Sequence, residues 1–157
     1  DFGFSNDPTA IVFCAIAHGE LWVDCFVYEN GLLNPDIANR IKAHPLSGLF
    51  PVVADSAEPK SIAEIKAHRV NIIPAVKGND SIVSGIDILK RYRLHVTRHS
   101  QGIISNLRSY QWAKDRDGNQ TNKPEDKNNH GIDAIRYVAL RHFAVKRDAR
   151  GVRLRNR

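Results

Sequence analysis

Three aspartates stand at the edges of apolar runs in this chain. Asp1 opens DFGFSNDPT, Asp55 ends the apolar run LFPVVAD, and Asp133 lies in NNHGIDAIRYVAL, near the start of an amphipathic helix. A lone carboxylate at such an edge is costly unless a cation compensates its charge. If the three converge, a divalent metal ion is the obvious compensator, and the pattern then indicates a metal-dependent enzyme.

Carboxylate sets of this kind select Mg²⁺ or Mn²⁺, whereas zinc prefers Cys and His. Two such ions about 4 Å apart can activate water and stabilise the leaving oxygen of a phosphodiester. His130 precedes Asp133 by three residues and shares its helical face. Each acid also has a structural interpretation: Asp1 as a turn residue, Asp55 as a helix cap and Asp133 as a first-turn acid favoured by the helix dipole. Residue chemistry alone leaves both interpretations open.

The elements that must position these acids begin with two strands, residues 10–17 and 20–29, separated by the turn dipeptide His18-Gly19. In the second strand, residues 21, 23, 25 and 27 are predicted to share one face and residues 22, 24, 26 and 28 the other. Both faces carry large apolar groups, which predicts a strand that is covered on both sides.

Strands and helices then alternate, which is typical of an α/β fold with parallel crossovers after the antiparallel start. Predicted helices cover 35–44, 58–68, 80–92, 101–109 and 130–145, and predicted strands cover 51–55, 70–76 and 93–97. Ligand sites in such sheets lie at the carboxyl ends of strands, which is where Asp55 is expected. The polar segment 110–129 contains Asp117-Gly118 and Pro124, and predicts a strand ending in a mobile hairpin or loop. It is either a connector only, or a gate or DNA-contacting flap.

Composition limits the class of protein. With 157 residues, 42% of them apolar, the chain is expected to form one compact domain. It has no run of the roughly 20 apolar residues that a membrane span needs and no signal peptide, so no membrane partner is expected. Cys14 and Cys25 form no CxxC motif and are predicted to be buried, reduced thiols in a cytoplasm-like compartment.

The net charge of +6 is concentrated at the end of the chain, where residues 141–157 contain seven basic residues and one acid. Such a segment is either a solubilising terminus or an arm for a phosphate backbone or an acidic partner. We therefore predict a domain over 1–146 and a basic tail over 147–157. The candidate DNA contacts are Lys77, which the sequence pattern also allows as a solvated loop lysine, and Arg147, Arg150 and Arg153.

Four ordered motifs, DFGFSNDPT, VADSAEPKSIAEI, PAVKGNDSIVSGIDILK and NNHGIDAIRYVAL, closely resemble the nuclease domain of the large terminase subunit of tailed bacteriophages. The resemblance extends from Asp1 to about Val145. It implies a ribonuclease H-like fold, in which a central mixed β-sheet is flanked by helices on both faces. It also implies a two-metal endonuclease that cuts concatemeric viral DNA at the start and end of packaging.

The resemblance assigns the family's three catalytic aspartates to Asp1, Asp55 and Asp133. His130 matches a position that lies beside the metals in some members, and the hairpin before it matches an element thought to control access. The chain has no GxxxxGK[ST] phosphate loop, so the motor ATPase that precedes this domain in the family is expected to be absent from it. The first strand is likewise expected to lack its upstream half, as in an excised domain.

The leading hypothesis is an endonuclease that uses two Mg²⁺ or Mn²⁺ ions on double-stranded DNA with low sequence specificity. Asp55 would bridge the ions, Asp1 and Asp133 would each complete one shell, and His130 would orient water or phosphate. The implied partners are the upstream terminase ATPase domain, the portal and the small terminase subunit, in the host cell cytoplasm. The alternatives are a junction resolvase or transposase-like nuclease, and a non-catalytic module that docks on DNA or the portal and whose acids are structural.

Overall fold

The computed structural model describes residues 1–143, which form seven strands and five α-helices. The strands are β1 (Thr9–Ala17), β2 (Glu20–Glu29), β3 (Val52–Ala54), β4 (Ile72–Pro74), β5 (Leu94–Val96), β6 (Trp112–Lys114) and β7 (Gln120–Pro124). The helices are α1 (Asn34–Ala43), α2 (Pro59–Ala67), α3 (Ser81–Leu89), α4 (Gln101–Ser109) and α5 (His130–Val138), which continues as a π-helical segment, Ala139–Phe143.

The first sheet is mixed. Strands β1 and β2 form an antiparallel hairpin, and β5 joins the other side of β2 in parallel, with Leu21 opposite Leu94. His18 and Gly19 both have positive φ angles, 53° and 78°, as a two-residue turn that matches the twist of a hairpin requires. The sequence predicted this hairpin and its turn correctly.

A β-bulge interrupts the predicted alternation along β2. Val12 lies opposite Cys25 and Ile11 opposite Val27, so Phe26 has no partner of its own. Cys25 belongs to the hydrophobic cluster that contains α4 and α5 residues, whereas Val27 belongs to the cluster that contains α1 and α2 residues. The prediction that residues 21, 23, 25 and 27 share one face is therefore wrong after Cys25, because one extra residue reverses the side on which every later side chain points.

Two hydrophobic clusters cover the two faces of the strands. One contains the inner residues of α1 and α2 together with β3 and β4, and the other contains residues of β2, α4 and α5. The members that define them are Ile37, Ile41, Ile62, Ile65 and Ile72 in the first cluster, and Leu21, Val23, Ile103 and Ile135 in the second. Helices on both faces of a strand layer confirm the predicted α/β architecture.

Strands β3 and β4 form a separate parallel pair, from Val52 opposite Ile72 to Ala54 opposite Pro74. A cleft of about 480 Å³ with a largely apolar lining lies between β1 and β3. Helix α5 contacts β1 of the first sheet and β3 of the second, and so connects the two sheets. Because β3 and β4 run in parallel, residues that follow them emerge at the same edge.

The segment before α5 forms an antiparallel hairpin of β6 and β7. Its turn is organised by Asp115, whose Oδ1 accepts the backbone N–H groups of Asp117 at 3.0 Å and Asn119 at 2.8 Å, and Gly118 has a φ of 85°. The predicted hairpin is confirmed, while its mobility and its role as a gate stay predictions.

The predicted helix ends are corrected at two places. Helix α3 ends at Leu89 rather than residue 92, and α5 changes to π-helical geometry after Val138. The end of the predicted last helix and the basic tail, with Arg147, Arg150 and Arg153, lie outside the described residues.

Cys14 and Cys25 are free thiols. Burial raises the pKa of Cys14 to about 12 and that of Cys25 to about 11, so both are neutral at physiological pH. None of the helices in residues 1–143 is long and apolar enough to cross a membrane.

Candidate metal centre

Asp1 is held beside the first residues of β1. Its backbone nitrogen donates to the Ala10 carbonyl at 2.9 Å, and the Ala10 nitrogen donates back to the Asp1 carbonyl at 3.0 Å. The loop between them is tight at Gly3, where an added Cβ would lie 2.3 Å from the Asp7 carbonyl oxygen. Only glycine fits this close approach, so the DFG sequence serves to fold the loop back and fix the position of the Asp1 carboxylate.

Asp55 directly follows β3 and accepts three hydrogen bonds. Its Oδ1 receives the Ala57 backbone N–H at 2.7 Å and the ammonium of Lys77, and its Oδ2 receives the Tyr137 hydroxyl at 3.0 Å. Lys77 lies in the loop after β4, whose end is tied to that of β3 by a bond from the Ala75 nitrogen to the Ala54 carbonyl at 2.7 Å. The parallel pairing of β3 and β4 therefore brings the lysine to the carboxylate.

Tyr137 joins the first two aspartates. Its hydroxyl lies 3.4 Å from Asp1 Oδ1 and 3.0 Å from Asp55 Oδ2, and the residue is only 2% exposed. Burial, and then the charges of Asp133 and Asp55, raise the pKa of this phenol well above its ordinary value, so it remains a neutral hydrogen-bond donor. Two carboxylates thus meet at one hydroxyl group. Sequence reasoning missed Tyr137, although it follows Asp133 by four residues and so shares its helical face.

His130, the first residue of α5, lies between two carboxylates. Its Nδ1 is 2.9 Å from Asp1 Oδ2, and its Nε2 is 3.1 Å from Asp7 Oδ1. The ring therefore lies within hydrogen-bonding distance of two carboxylates, one at each nitrogen. Asp7 was not among the predicted site residues, and nothing in its sequence position distinguishes it from a turn residue next to Pro8.

The start of α5, and with it His130, is fixed by Asn106 of α4. The buried Asn106 side chain accepts the Gly131 backbone N–H at 2.9 Å and also hydrogen-bonds the Tyr28 hydroxyl. A Cβ at Gly131 would lie 2.3 Å from the Ile103 Cδ1 atom. In the HGIDA motif, His130 therefore places its side chain beside Asp1, and Gly131 lets α4 approach α5 closely.

Asp133 points to a different partner. Its Oδ1 accepts a bond from the Arg136 guanidinium at 2.7 Å, and the Arg136 side chain is 4% exposed. Arg136 lies against Gly85 of α3, where an added Cβ would be 2.2 Å from the Arg136 Cγ atom. Sequence reasoning also missed this arginine, for which the three-residue spacing from Asp133 is the available signal.

The structure thus brings Asp1, Asp55 and His130 together, places Lys77 on Asp55, and turns Asp133 towards Arg136. Among residues 1–143, no group of three or more His, Cys, Asp or Glu side chains is placed to hold a metal ion. Two of the three aspartates, Asp55 and Asp133, are instead paired with a lysine or an arginine of the protein. The three-carboxylate metal set therefore stays a prediction, and the arrangement is one in which protein cations supply the compensation that the acids need.

Opposing effects act on the pKa of Asp55. Burial raises it, but the hydrogen bonds from Lys77, Ala57 and Tyr137 and the charge of Lys77 outweigh burial, so the pKa lies below its ordinary value. The carboxylate is consequently ionised at physiological pH. An ionised carboxylate is a suitable ligand for a hard divalent cation.

Comparison with known proteins relates this arrangement to one family. Residues 1–140 match the family model described as terminase RNase H-like domain. The chain is 36% identical to the large terminase subunit of Bacillus phage SPP1 over an alignment of 92 positions, which covers 55% of this chain and 22% of that protein. The chain therefore spans about a fifth of the curated relative that it matches.

Solved structures show the same fold. The nuclease domain of the SPP1 large terminase, solved with bound Mn, superposes with a TM-score of 0.79 at 26% identity, covering 89% of this chain and 82% of that one. The large terminase of a thermophilic bacteriophage gives a TM-score of 0.68 at 19% identity, covering 90% of this chain and 38% of that one. The large terminase nuclease of another thermophilic phage, solved with bound magnesium, gives 0.53 at 20% identity, with coverages of 88% and 84%. The ribonuclease H-like fold and the match over residues 1–140 show that this chain belongs to the family of terminase RNase H-like nuclease domains.

Proposed function

We propose that this domain is a Mg²⁺- or Mn²⁺-dependent endonuclease that cuts concatemeric viral DNA during genome packaging. The observation that carries the proposal is the meeting of Asp1 and Asp55 at the Tyr137 hydroxyl. In an α/β sheet the carboxyl ends of strands are where ligands bind. The related SPP1 nuclease domain was solved with bound Mn, which supports divalent metal use here.

The donor chemistry of the centre fits such an ion. Asp1 and Asp55 offer carboxylate oxygens, which Mg²⁺ and Mn²⁺ prefer, and no cysteine lies among the contacts of these two side chains in the described part of the chain. Asp133 would become a metal ligand once Arg136 shares or releases its carboxylate. A second ion would then have a ligand. Divalent ions bound here would activate water and stabilise charge on the scissile phosphate.

The residues of the chain supply orientation. The backbone pairing with Ala10 fixes Asp1, the Ala57 N–H fixes Asp55, and the Tyr137 hydroxyl sets the separation of the two carboxylates. His130, held against Asp1, is available to orient water or phosphate. Lys77 provides positive charge at the edge where the DNA backbone would enter.

Low sequence specificity follows from the type of contact proposed, since basic groups that bind phosphate carry no base information. The proposed contacts are Lys77 and, in the tail, Arg147, Arg150 and Arg153. The proposed partners are double-stranded DNA, the terminase ATPase domain, the portal and the small terminase subunit, in the host cell cytoplasm.

The decisive experiment incubates supercoiled plasmid with the protein and Mn²⁺, alongside the Asp55→Asn variant. We expect nicking and linearisation by the natural sequence and a loss of at least about a thousandfold in Asp55→Asn, because a carboxylate that holds the metal cannot be replaced by an amide. Equal nicking by both proteins, or none by either across metals and pH values, would contradict the proposal. Cutting of an unbranched linear duplex would exclude a strict junction resolvase.

A second experiment concerns the basic tail. Removing residues 147–157 should weaken DNA binding and flatten its dependence on salt, since fewer phosphates are then neutralised. Fluorescence anisotropy with a labelled duplex at several salt concentrations measures both quantities. An unchanged affinity and slope would show that the tail does not contact DNA.

A further inference from the structure

The cation paired with Asp55 is the Lys77 ammonium, which can be displaced from the carboxylate. The Lys77 ammonium pairs with Asp55 Oδ1 and lies 5.1 Å from the centre of the Tyr137 ring. The Lys77 side chain is 35% exposed and that of Asp55 is 18% exposed. The pair therefore lies at the mouth of the centre, in contact with solvent.

The three donors on Asp55 differ in mobility. The Ala57 N–H is part of the backbone and Tyr137 is buried, so both are fixed in place. Lys77 has a flexible four-carbon stem and a compact charge, and a partly exposed pair of this kind contributes little to stability. The position occupied by its ammonium is thus the one place on this carboxylate that can be vacated for another cation.

We propose that Lys77 is a resident counter-cation of Asp55 that is displaced when a divalent ion binds, and that it thereby lowers the affinity of the centre for metal. The inference rests on the proposed metal-dependent function and assigns Lys77 a positioning role in metal binding. It differs from a long-range charge effect because it requires direct contact between the ammonium and the carboxylate.

Isothermal titration with Mn²⁺, without DNA and at one fixed pH, tests this inference. Lys77→Met should bind Mn²⁺ about five- to tenfold more tightly, because no ammonium has to be displaced. Lys77→Arg should bind more weakly than the natural sequence, because a guanidinium can hold a carboxylate through two hydrogen bonds. Lys90→Met, which removes the same charge at the end of α3, is the control and should leave the affinity unchanged.

The arginine variant separates competition from general electrostatics, since it keeps the charge. An affinity of Lys77→Met that is equal to or weaker than that of the natural sequence would overturn the inference. So would an affinity of Lys77→Arg equal to that of the natural sequence. If neither the natural sequence nor any variant binds Mn²⁺, the proposed metal function itself fails, and the inference falls with it.

A second measurement needs no variant. Limited acetylation followed by mass spectrometry reports how accessible each lysine is, and Mg²⁺ should increase the labelling of Lys77 but not that of Lys90. Equal labelling of Lys77 with and without Mg²⁺, at concentrations that saturate the titration, would overturn displacement.

Discussion

Asp55 and Asp133 each face one basic side chain, yet the two pairs are built differently. Lys77 reaches Asp55 from a loop and remains 35% exposed, whereas Arg136 reaches Asp133 within the same helix and is 4% exposed. The carboxylates themselves are similarly covered, at 18% and 17% exposure. The difference therefore lies in the cation and its packing.

This contrast separates an exchangeable pair from a structural one. Arg136 lies against Gly85 and over the Tyr137 ring, so it belongs to the packing between α3 and α5. Removing one partner of a buried pair leaves an uncompensated charge, whereas a partly exposed pair can be broken at small cost. Within the proposed function, Asp55 accepts an ion once the partly exposed Lys77 is displaced, whereas Asp133 must first be released from the buried Arg136.

The largest expected effect is a difference in the free energy of unfolding between variants that remove Arg136 and variants that remove Lys77. Arg136→Met should lower the free energy of unfolding by about 3–5 kcal/mol, because Asp133 is left without its buried partner. Lys77→Met should change it by less than about 1 kcal/mol. Urea unfolding followed by circular dichroism gives both values, and equal losses would remove the distinction between the pairs.

A smaller effect should follow from crowding the arginine. Gly85→Ala places a methyl group 2.2 Å from the Arg136 Cγ atom and should cost about 1–3 kcal/mol through overpacking. Gly78→Ala is the matched control, since an added Cβ there meets no atom within 4 Å. Thermal denaturation of the two variants measures the difference. A Gly85→Ala variant as stable as the control would show that Arg136 moves freely, contrary to the structural role given to it.

Tyr137→Phe tests the link between the two aspartates. Losing the hydroxyl should cost about 1 kcal/mol, because Asp55 loses its donor at 3.0 Å and Asp1 loses the longer contact at 3.4 Å. Tyr110→Phe is the control, as its buried hydroxyl has no hydrogen-bond partner among residues 1–143 and its removal should be neutral or stabilising. Chemical denaturation of both variants decides the point, and equal changes would show that the bridge contributes nothing.

The smallest expected effect concerns acid stability and the exchangeable pair. The pKa of Asp55 is below its ordinary value in the folded protein, so the pair stabilises the fold above about pH 4, and this stabilisation is lost as pH falls through the folded pKa. In Lys77→Met the pKa of Asp55 should rise towards its ordinary value, so the acid-dependent loss of stability should be smaller and should be complete at a higher pH. Urea midpoints between pH 2 and 6, with Lys90→Met for comparison, measure the shift. Superimposable profiles would show that Lys77 has no influence on this carboxylate.

Much of the fold was predictable because local signals were strong. His18-Gly19 and Asp117-Gly118 marked the two hairpin turns, and the alternation of strand and helix patterns indicated the α/β fold. The bulge at Phe26 was not predictable, since it depends on how β1 and β2 pair and leaves no composition signal. The same limit applies to the end of the regular helix at Val138.

The candidate site, too, was predictable only in part. The sequence by itself determined which acids stand at the edges of apolar elements and that His130 shares a helix face with Asp133. Only the tertiary structure decided which groups meet: Tyr137 reaches Asp1 and Asp55 across 136 and 82 positions of the chain. It also decided that Asp55 contacts a lysine and that Asp133 contacts an arginine, rather than the two acids contacting each other. The physical reason is that such contacts depend on distances between packed elements, which no local pattern of residue types contains.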